Sequence, residues 1–97
     1  MVKFSKWDVT EHLKTEKDIQ LYLKAAFDDG DPDLIAAVLG DIAKIRGMSK
    51  IAKKAGVNRV SLYRSLSKDT RPHYDTISKV MGSLGYRLTF EPWRKVG

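Results

Sequence analysis

The sequence predicts an all-α fold of five helices on one core, closed by a short C-terminal strand. Apolar residues recur at three- and four-residue spacing in successive segments. Those segments are punctuated by Thr15, Asp31 and Asn58 at their starts and by Gly30, Gly47, Gly56 and Gly85 at their ends. Alternation of the kind strands show is confined to residues 86–90. At 97 residues the chain fits one domain, because domains commonly run to ~100–150 residues. It divides into an N-terminal arm and helix (1–30), a central helical core (31–85) and a C-terminal strand (86–92).

Residues 1–14 scatter Phe4, Trp7, Val9 and Leu13 among charges, which suits an arm packed through its aromatics. Thr15 followed by Glu16 and Asp18 has the form of an N-cap with acidic residues at the positive end of a helix dipole. Ile19, Tyr22, Leu23, Ala26 and Phe27 then form one apolar face, and Asp28-Asp29-Gly30 ends the helix. Asp31 caps a second helix with Pro32 at its first position. Leu34, Ile35, Val38, Leu39, Ile42 and Ile45 give it a broad apolar face. Gly40 inside it costs about 1 kcal/mol relative to alanine, so a close helix–helix approach is expected there. Arg46-Gly47 ends this helix with a cation and a left-handed glycine cap. A short helix over 49–55, a turn at Gly56 and a helix capped by Asn58 running to Leu66 follow. After a polar loop comes a helix over 74–84, with Ile77, Val80, Met81 and Leu84 inward, and then the strand.

The stretch M-S-K-I-A-K-K-A-G-V-N-R-V-S-L-Y-R-S-L, beginning at Met48, has the residue types of a helix-turn-helix, two short helices crossing around a tight turn. Ala52 must be small where the second helix crosses, and Gly56 supplies a backbone conformation that a Cβ opposes. Ile51 and Val57 plug the joint, while Leu62 and Leu66 anchor the second helix. If both leucines point inward, Arg59, Val60, Tyr63 and Arg64 point outward, where the N-terminal part of such a helix meets base edges of double-stranded DNA. Arg59 and Arg64 suit guanine and Val60 a thymine methyl. Ser49, Lys50, Lys53, Lys54, Ser61, Ser67, Lys68 and Arg71 are candidates for phosphates, which set register and salt-dependent affinity. Asn58 stands between helix capping and a DNA contact. One such helix reads few base pairs, so a homodimer on two half-sites is expected.

Charge agrees with this division. The net charge is +6, but residues 1–41 hold five Lys/Arg against nine Asp/Glu, net −4, and residues 42–97 hold thirteen against three, net +10. A basic half implies an anionic partner. There is no cysteine, and His12 and His73 make no metal constellation, so neither metal nor cofactor is expected. The carboxylates are explained by helix starts, and the Asp28–Asp31 turn lacks calcium-loop spacing. An enzyme is therefore not expected. RNA binding is disfavoured because Tyr22, Phe27, Tyr74 and Tyr86 sit at core-like spacing. With no apolar run near ~20 residues and none behind the N-terminal lysine, a cytoplasmic location with no membrane partner is expected. Tyr86, Leu88 and Phe90 offer two alternatives: pairing with the same strand of a second copy, or an extended tail on the body.

The block from Gly30 through S-L-Y-R-S-L to T-I-S-K-V-M-G-S-L-G-Y-R-L resembles the addiction-module antidote proteins, antitoxins of the HigA-like, prophage type. The run L-G-D-I-A-x-x-x-G-M-S-x-I-A and the pair S-L-Y-R-S-L carry the likeness most specifically, and it extends upstream to W-D-V-T-E-H-L-K-T-E-K-D-I-Q-L-Y-L. The resemblance implies a phage-repressor-like domain, an operon repressor acting as a dimer, and a small RelE-like toxin as protein partner. The chain lacks the long disordered tail of other antidote classes, so toxin contact would fall on folded surface, with the acidic half complementary to a basic partner. A stand-alone prophage transcriptional regulator without a toxin is the alternative, separable by the neighbouring reading frame.

Overall fold

The structure is a computed structural model in which residues 12–67 and 72–92 are described. The apolar arm residues Phe4, Trp7 and Val9, and the phosphate candidates Lys68 and Arg71, lie outside these residues.

Among the described residues five helices follow one another: α1 (Glu16–Asp29), α2 (Pro32–Arg46), α3 (Met48–Ala55), α4 (Arg59–Ser65) and α5 (Tyr74–Ser83). Side-chain caps mark where α1, α2 and α4 start. Thr15 and Asp18 form a reciprocal capping box, the Thr15 hydroxyl accepting from the Asp18 amide at 3.0 Å and the Asp18 carboxylate from the Thr15 amide at 3.1 Å. These bonds, the Thr15 amide first, hold the Asp18 carboxyl below its usual pKa. Asp31 caps α2 by accepting from the Asp33 amide at 3.0 Å, with Pro32 in the first turn.

The helices meet on Leu39, Ile42, Leu62 and Val80, the largest fully buried side chains. α1 adds Ile19, Leu23 and Ala26, and α3 adds Ile51 and Ala52. Gly40 lies where α2 meets the end of α4: a Cβ there would stand 3.3 Å from the Leu66 carbonyl oxygen. The close approach expected at this glycine is therefore present. Two polar links supplement the apolar contacts. The half-buried Tyr22 hydroxyl donates to Asp41 at 2.9 Å, joining α1 to α2. Burial first, then the donated bond and the Asp41 charge, push the Tyr22 phenol well above its ordinary pKa. The Glu16 carboxylate accepts from the Arg46 guanidinium on α2 and, at 3.4 Å, from the Tyr86 hydroxyl.

Three expectations need correction. α3 begins at Met48, one residue early, because Gly47 alone connects it to α2. Gly47 has φ 100° and ψ 108°, which is not the left-handed helical cap expected of it. The strand over Tyr86, Leu88 and Phe90 does not form: residues 86–92 carry no regular structure. A strand needs a neighbour to receive its N–H and C=O groups, and no other strand exists among the described residues. The Tyr86 amide instead donates to the Met81 carbonyl at 2.9 Å at the end of α5. Tyr86 and Leu88 pack half-buried on the core, while Phe90 is 93% exposed. Among the described residues, no helix is long and apolar enough to cross a membrane.

Candidate nucleic-acid interface

α3 and α4 are joined through a tight turn whose geometry follows from its residues. Gly56 adopts φ 72° and ψ 31°, the left-handed region that costs a Cβ-bearing residue roughly 1–2 kcal/mol. Its amide donates to the Lys53 carbonyl at 3.2 Å, and the Val57 amide donates to that of Ala52 at 3.0 Å. The chain thus leaves α3 and turns within two residues. Val57 packs partly buried against the core, as a plug in this joint should.

Asn58 then starts α4. Its side-chain oxygen accepts from the Val60 amide at 2.8 Å and from the Ser61 amide at 3.2 Å. This meets two of the orphan donors that any helix start presents. Capping is therefore the observed role of Asn58, and its amide group remains exposed at the surface.

Leu62 is 1% exposed and Leu66 5%, which sets the rotation of α4. The side chains left outside are Arg59, Val60, Ser61, Tyr63 and Arg64. Val60 is 61% and Tyr63 58% exposed, and the two stand side by side on the outer face of α4. The Lys44 ammonium sits 5.9 Å above the centre of the Tyr63 ring, within the range of a cation–π contact. Lys44, Met48, Arg59, Val60 and Tyr63 line one cleft of about 340 Å³. Three of the four base-contact candidates therefore share one concave surface, while Arg64 stands outside it.

The phosphate candidates divide. Ser49, Lys50, Lys53, Lys54 and Ser61 are exposed, as their proposed role needs. The Ser67 hydroxyl donates to the Arg64 carbonyl at 2.8 Å and is half-buried, so it serves the end of α4. Lys50 and Lys54 line a second, broader cleft of about 600 Å³ with Arg46 and Lys79. Two of those four cations already hold carboxylates, Arg46 that of Glu16 and Lys79 that of Asp75 at 3.0 Å. No α4 residue lines this cleft, so the basic half presents two separate cationic surfaces among the described residues.

Lys44, Met48, Arg46 and Lys79 escaped sequence reasoning. A signal for Lys44 existed: Ala37, Asp41 and Lys44 recur at four- and three-residue spacing on α2, on the face beside Gly40. All four border one groove together with Tyr63 and Leu66. The glycine that announces a close helix approach also announces that its polar neighbours flank the arriving helix.

Among the described residues, no group of three His, Cys, Asp or Glu side chains is placed to hold a metal ion. No solved structure matches the chain. An uncharacterized protein of Haemophilus influenzae (strain KW20 / Rd) is 42% identical over 88 residues, 91% of each chain. The family described as "probable addiction module antidote protein" matches residues 3–92. By that match and that relative, the chain belongs to the addiction-module antidote family.

Proposed function

We propose that this antidote is a sequence-specific DNA-binding repressor of its own toxin–antitoxin operon, and that α3, the Gly56 turn and α4 form a helix-turn-helix of the phage-repressor kind. The observation that carries the reading is the two-sided character of α4. Leu62 is buried beneath it, while Arg59, Val60, Tyr63 and Arg64 stand exposed on it. A helix so anchored inserts its outer face into a major groove, where Arg59 and Arg64 bind guanine edges. Lys50, Lys53, Lys54, Ser49 and Ser61 supply phosphate contacts, as does the exposed amide of Asn58, and Lys68 and Arg71 are assigned with them. A homodimer places two such helices on an operator. Phe90 is the exposed aromatic for a second copy to cover, whereas Tyr86 and Leu88 already pack within their own chain.

The toxin partner implied by the family is, on this reading, a small RelE-like protein neutralised by direct binding in the cytoplasm. Charge complementarity favours the acidic junction of α1 and α2, where Asp28, Asp29, Asp31 and Asp33 are exposed. The test of the DNA reading is a shift assay with the chain's own upstream region. Arg59→Ala combined with Arg64→Ala is expected to weaken binding by at least about thirtyfold, at ~1–3 kcal/mol per guanine contact. Equal, salt-insensitive binding by wild type and variant would refute it.

A further inference from the structure

We infer that the cleft between Met48 and Val60 seats the 5-methyl group of a thymine, so that these two side chains select thymine at one position of the DNA read by α4. The inference rests on the DNA-binding reading of α4 and deepens it. Its starting point is a side chain with no folding reason to be where it is. Val60 is β-branched, a weak helix former, and it stands 61% exposed on the outer face of a seven-residue helix. Most of its surface is uncovered, so most of its apolar contact is made only when a partner covers it.

The surroundings say what kind of partner fits. The cleft's lining is two cations, Lys44 and Arg59, around the apolar Met48 and Val60, with the Tyr63 ring as a wall. Among the described residues, no carboxylate lines it. Lys44 lies over the Tyr63 ring, which holds that wall in place and keeps a positive charge at the rim. The occupant is therefore polyanionic but brings a small apolar group to the centre. In the major groove of DNA the thymine methyl is that group, flanked by phosphates for the lysine and by neighbouring base edges for Arg59. Met48, half-buried and unbranched, adjusts to its shape.

The test removes the methyl and nothing else. The full chain selects its preferred duplex from a randomised double-stranded library. Each thymine of the selected duplex is then replaced in turn by deoxyuridine, which keeps every hydrogen-bonding group. One thymine per half-site is expected to lose about fourfold in affinity, which is ~0.8 kcal/mol for one buried methyl. In Val60→Ala, whose exposed site leaves folding undisturbed, the thymine-to-uracil ratio at that position is expected to fall close to one. A consensus whose affinity ignores every thymine methyl overturns the inference and leaves the DNA reading standing. So does a ratio unchanged in Val60→Ala. A library that yields no consensus removes the DNA reading, and this inference with it.

Discussion

Asn58 offers a perturbation that separates stability from DNA affinity within one residue. Its side-chain oxygen holds the Val60 and Ser61 amides, two of the first-turn donors of a helix only seven residues long. The Asn58 carbonyl also accepts from the Leu62 amide at 2.8 Å, so the residue sets the direction in which α4 leaves the turn. Replacing an N-cap of this type by alanine costs ~0.5–2 kcal/mol, and so short a helix places Asn58→Ala in the upper half, about 1–2 kcal/mol. For a domain of this size each kcal/mol lowers Tm by roughly 4–8 °C, so a thermal melt should fall by about 5–15 °C. Asn58→Asp keeps the acceptor and adds a negative charge at the positive end of the helix. It is expected to melt within about 2 °C of wild type, a small fraction of the alanine shift on that scale. In a DNA shift assay the order reverses: the introduced carboxylate sets an anion against phosphates and should weaken binding by at least about tenfold, near 1.4 kcal/mol. Circular dichroism melts and shift assays on the same three proteins decide the matter. If aspartate destabilises as much as alanine, or alanine not at all, the capping argument is wrong.

Three further outcomes are expected. Leu62→Ala, which empties a fully buried site shared by α4 and the core, should cost about 2–5 kcal/mol in urea unfolding. Gly40→Val places methyl groups beyond a Cβ already 3.3 Å from the Leu66 carbonyl, and overpacking of this kind costs ~1–3 kcal/mol, again read by urea unfolding. The Tyr22 phenol has a folded pKa raised above its ordinary 10.0. The associated stability is complete below about pH 10 and is lost as pH rises above it, so Tyr22→Phe should flatten the alkaline limb of a stability–pH profile.

What was legible in the sequence was chemistry local to a few residues. Asp31-Pro32 and Thr15 mark helix starts through side chains that reach amides two or three residues on. Gly56 and Asn58 place the turn because their demands are met within the turn itself. The inward leucines of α4 followed from periodicity, and with them the outward arginines. The C-terminal segment defeated the same logic, because Tyr-Arg-Leu-Thr-Phe alternates like a strand but no described strand lies beside it to complete the ladder. Lys44 and Met48 were hidden for a different reason. Their approach to Tyr63 and Val60 depends on how the end of α2 and the start of α3 lie against α4, and spacing along the chain carries that only indirectly, through the bare backbone at Gly40. Likewise the pairing of Glu16 with Arg46 and Tyr86 joins residues far apart in sequence, with no local pattern to announce it.

α1 is not an appendage, since Ile19, Leu23 and Ala26 lie in the same core as Leu62 beneath α4. The acidic and basic halves therefore cannot be cut apart, and deleting residues 1–30 is expected to unfold α4 along with the proposed toxin surface. They also share one folding equilibrium. A partner held on either face at a hundred times its Kd deepens the native state by about 2.7 kcal/mol, and that protection extends to the opposite face without any change of shape. Loss of the partner returns the whole chain to its unaided stability, which makes lifetime in the cell a quantity that occupancy at one surface sets for the other.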